Sequence, residues 1–182
     1  DMREVVRRLA DKCKVAIVSG RDLNDVRNFV QLDEVYYAGS HGFDITGPGG
    51  MEKKNEQGLA CLPDLEKAHA ELEDKLGSIP GIGFERKGFA LAIHYRNVPE
   101  QHVSTVEDAV NHANEKYDKL RKSGGKKIFE LQPNVDWHKG KAVMYLLDVL
   151  GLNSENVIPF YIGDDLTDED AFKALPSRGI GI

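Results

Sequence analysis

The run KVAIVSG, Lys14 to Gly20, constrains the fold more than any other stretch of the chain. It is apolar, rich in β-branched residues, and stops at Ser-Gly, the pattern of a strand buried on both faces of a parallel sheet. RDLNDVRNFV follows, with Leu23, Val26 and Val30 at helical spacing and Asp22 placed to cap the helix. VYYAGSHG, Val35 to Gly42, is then a second short strand that ends in small residues. Strand, helix and strand in this order require a crossover, and so parallel strands. Ahead of them, residues 1–12 read as a helix with Met2, Val5, Val6 and Leu9 facing inward.

The alternation is then interrupted. DITGPGGMEKKNEQG is turn-rich and predicts a hairpin. LPDLEKAHAELEDKLG predicts a helix with Leu62, Leu65, Leu72 and Leu76 on one face, and GIGFERKGFALAIHYRNV two antiparallel strands around Gly88. A helix is expected from about Pro99 to Lys122, with Val103, Val106, Val110, Ala113, Tyr117 and Leu120 inward and SGG as its stop. KKIFELQP is another strand, closed by Pro133. The β–α order resumes with a helix over KGKAVMYLLDVLG, which turns Ala142, Val143, Leu146, Leu147 and Leu150 inward. A strand over VIPFYIGDD, a helix over TDEDAFKAL and a strand at GIGI follow. The expectation is an α/β fold: an open parallel sheet, residues 1–60 and 134–182, interrupted by an α+β module, residues 61–133.

The 182 residues suffice for one full core, or for one core and a small second one. No apolar run approaches the roughly 18 residues of a membrane span, and DMREVVRRLADKC is an amphipathic helix rather than a signal peptide. Cys13 and Cys61 stand far apart in no metal-ligand spacing, so free thiols in a reducing, cytoplasmic setting are expected. The net charge of −6 argues against nucleic-acid binding. It also means that an anionic substrate needs local cations or a metal. Nothing in the sequence points to a membrane partner or fixes an oligomeric state.

Three core strands end in polar residues: Ser19, His41 and the pair Asp164/Asp165. Ligands of an open parallel sheet bind beyond the carboxyl ends of its strands. In IPFYIGDDLTDEDAF five acids fall within seven residues, Asp164 to Asp170. Thr167 or Asp168 is placed to cap the following helix, and Glu169 and Asp170 favour its dipole. Asp164 and Asp165 remain as oxygen ligands for a hard cation such as Mg2+, which would relieve their repulsion. The same spacing also describes an acidic helix start and nothing more. Ser19 can offer a hydroxyl and an N–H to a phosphate oxygen near a helix N-terminus, or simply form a strand-to-helix turn. Lys139 opens a helix, where the dipole disfavours a cation; an anionic partner or plain solvation accounts for it. In FERKGFALAIHYR, alternation puts Glu85 and Lys87 on one sheet face and Arg86 on the other, while His94 and Arg96 share a face. Such a face can hydrogen-bond a polyhydroxyl ligand and its phosphate, or face solvent.

Together these segments resemble the haloacid-dehalogenase (HAD) phosphohydrolases and, within them, the trehalose-6-phosphate phosphatases. VAIVSGRDLNDV, YYAGSHGFDI, FERKGFALAIHYRNV, FELQPNVDWHKGKAV and YIGDDLTDEDAF stand in the family's order over nearly the whole chain. The resemblance implies a Mg2+-dependent phosphatase that releases trehalose and phosphate from trehalose 6-phosphate through an aspartyl-phosphate. It implies that Ser19 binds the transferring phosphoryl group and that Lys139 offsets its charge. Asp164 would ligate Mg2+, with Asp165 and Asp168 supporting the metal and Lys139. The inserted module would be an α/β cap in which Glu85, Lys87, His94, Arg96 and Glu130 contact the sugar phosphate. Arg21, His41 and Gly42 would lie at the seam.

The family's nucleophile belongs to an Asp-x-Asp-Gly-Thr motif. The 182 residues contain only one Asp-x-Asp, Asp168–Glu169–Asp170, elsewhere in the order and without Gly-Thr. The expectation is a segment of a longer enzyme, with a gap in its sheet, that by itself is poorly stable and inactive. Two other readings stand beside this one. The first is a capped phosphatase of sucrose or mannosyl phosphate. The second is a non-catalytic regulatory domain of a synthase–phosphatase protein that binds sugar phosphate without cleaving it.

Overall fold

A computed structural model describes residues 1–182. The chain divides into two compact units, Asp1–Asn55 with Asp136–Ile182, and Glu56–Val135.

The first unit begins with α1 (Met2–Ala10), where the Asp1 carboxylate accepts the Arg3 N–H at 3.2 Å. Its expected inward face is mostly outside: Met2, Val5 and Leu9 are exposed. The helix meets the core through Val6 and Ala10, an i, i+4 pair at one edge of the stripe, so the remainder turns to solvent. β1 (Ala16–Val18) runs parallel to β2 (Tyr36–Gly39), with Ala16 opposite Tyr36 and Val18 opposite Ala38. Between them lies α2 (Leu23–Val30), whose Asp22 cap accepts the Asn24 N–H at 2.9 Å, as its sequence predicts. β3 (Asp44–Gly47) and β4 (Met51–Lys54) form the expected hairpin and complete the order β1-β2-β3-β4. β1 is not buried on both faces as its composition suggested. It pairs on one side only and stands at the sheet edge, with Ala16 exposed.

The second unit is continuous in sequence. A short α3 (Glu56–Leu59) and α4 (Leu62–Leu76) lead into β5 (Gly83–Arg86) and β6 (Leu91–His94). α5 (Glu100–Lys116) precedes the hairpin of β7 (Leu120–Gly125) and β8 (Ile128–Pro133). The sheet is antiparallel, in the order β5-β6-β8-β7. Leu65, Leu72 and Leu76 of α4 and Val106, Val110 and Ala113 of α5 pack on Leu91, Ile93, Phe129 and Leu131. The helix expected as far as Lys122 stops six residues earlier, at Lys116. Tyr117 N–H closes the last turn on Ala113 O, and Leu120 begins a strand in which SGG is sheet rather than helix stop. Leu120 is buried in either arrangement, so periodicity alone could not separate them.

The chain then returns to the first unit with α6 (Lys139–Val149). Leu146 packs on Ala38 and Ile45, while Val143 and Leu147 pack on Tyr161 and Ala171. α6 therefore covers the sheet face opposite to the one on which α1 and α2 meet Tyr37. β9 (Phe160–Tyr161), a 3-10 turn (Leu166–Asp168), α7 (Glu169–Ala174) and β10 (Ile180–Gly181) follow. β9 pairs in parallel with β10 alone, so the sheet of this unit is in two pieces. Val18 of β1 joins the cluster of Val143, Leu147 and Tyr161, which places the ends of β1 and β9 against the same helix. Phe160 and Ile162 remain exposed. Cys13 and Cys61 are both free, and no helix is long and apolar enough to cross a membrane.

Candidate active site

Lys139 is the first residue of α6 and is only 6% exposed. A buried ammonium needs a partner. Its Nζ donates to Asp168 Oδ1 at 2.8 Å. The same oxygen accepts the Tyr161 hydroxyl at 2.6 Å, and Oδ2 accepts the backbone N–H of Asp165 at 3.0 Å. Burial alone would raise the Asp168 carboxyl. The hydrogen bonds from Lys139, Tyr161 and the Asp165 N–H, with the lysine's charge, outweigh it and hold the pKa below the ordinary value. Burial, and then the bond to Asp168, push the Tyr161 phenol well up. Gly163 makes room for the arrangement, because a Cβ there would lie 2.5 Å from Asp168 Cγ.

Capping falls one turn earlier than the sequence suggests. Neither Thr167 nor Asp168 caps α7 through its side chain; instead Asp165 and Asp168 form a reciprocal capping box on the 3-10 turn. Thr167 Oγ1 is buried without a partner. The Asp164 carboxylate is exposed and makes no hydrogen bond or ion pair within the protein. No group of three or more His, Cys, Asp or Glu side chains is gathered to cage a metal. A cation that takes one or two carboxylates and completes its shell with water and phosphate would need no such cluster.

Ser19 follows β1 directly. Its Oγ accepts the Arg21 N–H at 3.2 Å, which leaves the hydroxyl proton to donate elsewhere. The loops after β1 and β2 are tied together by Ser40 N–H to Arg21 O at 2.7 Å and His41 N–H to Ser19 O at 2.8 Å. Ser40, His41 and Gly42 are three successive left-handed residues, with φ of 50°, 57° and 91°. Such a run persists only where its surroundings enforce it. Gly42 is also forced by packing, since a Cβ there would meet Ala142 Cβ of α6 at 2.2 Å. The His41 ring lies against Gly20. The Arg21 side chain is exposed.

In the second unit, one sheet face carries a chain of ion pairs. Lys87 Nζ lies 3.2 Å from Glu130 Oε1 and 3.9 Å from Glu85 Oε2, and Glu85 Oε2 lies 2.9 Å from His94 Nε2. Arg86 turns the other way and pairs with Glu66 of α4 at 2.8 Å, as strand alternation predicts. Arg96 stands beyond the end of β6, exposed and without an ion pair. The residue that sequence reasoning missed is Tyr161. An aromatic inside an apolar strand reads as core, and nothing in FYIGDD signals where its hydroxyl goes.

An open α/β core that carries an α+β insertion, with a helix-opening lysine held by an aspartate beyond a late strand, is the fold of the HAD phosphohydrolases. A solved structure described as a trehalose-6-phosphate phosphatase related protein matches it with a TM-score of 0.77. The match covers 99% of this chain and 73% of that one, at 21% identity, and speaks to the fold alone. The sequence goes further: the trehalose-phosphatase family model matches residues 1–181, and the chain belongs to that family. It is 45% identical over 178 residues to the trehalose-phosphate phosphatase of Mycobacterium marinum, covering 97% of this chain and 45% of that protein. The corresponding protein of Mycobacterium tuberculosis is 43% identical over 180 residues, 98% of this chain and 46% of its own length. The chain thus spans about half the length of the curated relatives it matches.

Proposed function

We propose that this chain supplies the phosphoryl-binding, metal-binding and sugar-reading residues of a Mg2+-dependent phosphatase that converts trehalose 6-phosphate to trehalose and phosphate. One observation carries the reading: in a chain of the trehalose-phosphatase family, the buried Lys139 is held by Asp168 at the opening of α6. One of its three N–H donors serves Asp168, which leaves two for an anion. Ser19 donates its hydroxyl to a phosphate oxygen while the Arg21 N–H fixes Oγ. Asp164, with Asp165 beside it, would hold Mg2+, and the bound ion would supply Lewis-acid neutralisation of the phosphate's charge. The nucleophile of the resembling enzymes lies in an Asp-x-Asp-Gly-Thr motif that these 182 residues do not contain. Their part is therefore to bind, orient and stabilise charge. The unit Glu56–Val135 acts as the cap, in which Glu85, Lys87, His94 and Glu130 exchange their mutual ion pairs for the sugar's hydroxyls and the unpaired Arg96 joins them.

The test is phosphate release by the full-length polypeptide from trehalose 6-phosphate, sucrose 6-phosphate and glucose 6-phosphate, with Mg2+ and then with EDTA. Turnover that needs the metal and favours trehalose 6-phosphate is expected. Preference for another ester moves the substrate. Saturable binding of trehalose 6-phosphate with no turnover moves the protein to the regulatory class.

A further inference from the structure

We infer that Tyr161 is a positioning residue for Lys139, acting through Asp168. The phenol ring sits in the cluster of Val143, Leu147 and Ala171, with the Phe172 ring edge-on at 5.5 Å. A phenylalanine would fill that volume equally well. What the hydroxyl adds is one short bond, 2.6 Å, to Asp168 Oδ1, and it makes no other. That oxygen also anchors Lys139, while Oδ2 is taken by the Asp165 N–H. Three donors on two oxygens fix the plane of the carboxylate, and with it the place from which the ammonium is held. The hydroxyl has an electrostatic consequence as well. A charge-assisted O–H···O bond draws part of the carboxylate's charge to itself, and that part no longer neutralises the ammonium. Lys139 keeps more of its field for an anion arriving at the mouth of α6. Without the hydroxyl, Oδ1 has Lys139 as its only donor, so the lysine is drawn inward and its field is spent on Asp168.

This inference rests on the role proposed for Lys139, and its experiment separates the two. Tyr161→Phe, Asp168→Asn and the double variant are made in the full-length polypeptide, with thermal unfolding recorded for each. Because the ammonium meets both the bound phosphate ester and the charge that develops on it in the reaction, Tyr161→Phe should lower kcat about tenfold and raise KM roughly threefold. In the Asp168→Asn background the same change should add less than about twofold, since the two residues act as one unit. The affinity for inorganic phosphate, measured by calorimetry, should fall roughly threefold or more in Tyr161→Phe, because a withdrawn ammonium binds the anion less well. An unchanged kcat in Tyr161→Phe, or an equal loss in both backgrounds, overturns the positioning role while leaving the phosphatase intact. Should the parent hydrolyse no ester, the proposed function fails, and phosphate affinity alone decides: weakened binding in Tyr161→Phe upholds Tyr161, and unchanged binding removes it.

Discussion

Lys139 Nζ and Asp168 Oδ1 lie 2.8 Å apart, with both side chains 7% exposed, and the pair ties the first residue of α6 to the turn that precedes α7. Removing one partner strands a buried charge, whereas removing both charges does not. Lys139→Ala should abolish turnover and destabilise the first unit by roughly 3 kcal/mol. The isosteric pair Lys139→Met with Asp168→Asn should recover much of that stability and none of the activity. Urea unfolding beside phosphate release checks both halves; a single variant with turnover within a few-fold of the parent would remove Lys139 from the mechanism.

Gly163 is required by a neighbour rather than by its own backbone. The methyl of Gly163→Ala would sit 2.5 Å from Asp168 Cγ, so the carboxylate must shift and carry Lys139 with it. Activity should fall at least tenfold or so, for a stability loss of about 1–3 kcal/mol, the usual cost of overpacking. Equal kinetics in parent and variant would show that the site tolerates a displaced Asp168.

Glu130 holds Lys87 at 3.2 Å on the open face of the second sheet. If that face reads the sugar, Glu130→Ala should cut kcat/KM for trehalose 6-phosphate by about a hundredfold and for a small aromatic phosphate ester by about twofold or less. A site built around a substrate hydroxyl loses discrimination when the bond goes. Parallel losses on the two esters would reject the role.

Glu71 collects Lys116 at 2.6 Å, Lys75 at 2.8 Å and the Tyr117 hydroxyl at 3.1 Å. The bonds from Lys116 and Lys75 lead in drawing its carboxyl from the usual 4.5 to about 2. A folded pKa below the unfolded one gives stability that is complete above the unfolded value and is lost as pH falls towards the folded one. The second unit should therefore weaken between pH 4.5 and 2, and Glu71→Gln should flatten that part of its stability curve. Unfolding midpoints taken through this window, for parent and variant, are the check; identical slopes would exclude Glu71 as the cause.

Elements whose residues must face a single neighbour were legible. β1, α2 and β2 carry their signal locally, in β-branched runs and an Asp22 cap, and the structure pairs the two strands in parallel. α1 was legible as a helix but not in its orientation. Amphipathicity says that a face is apolar, not how much of it a neighbour will cover, and Met2 stays 74% exposed. The end of α5 escaped because Leu120 is buried as a helix residue or as a strand residue, and only the pairing of Leu120 with Pro133 settles it. At the candidate site the charged residues announced themselves, since a lysine at a helix start and carboxylates after a strand both carry an electrostatic cost. Tyr161 carries none in sequence. Its contribution exists only once Asp168, seven residues on, is folded back onto it.

The interruption of the first unit by the second also sets an order of events on the ribosome. Glu56–Val135 is one uninterrupted stretch that contains every strand of its own sheet, so its core can close as soon as β8 has emerged. Ala38 and Ile45 have no such option. The helix that packs on them is synthesised only after the whole insertion, and until Leu146 arrives they lack that cover. The first unit is begun before the insertion and closed only after it, and during that interval a chaperone has these residues to shield.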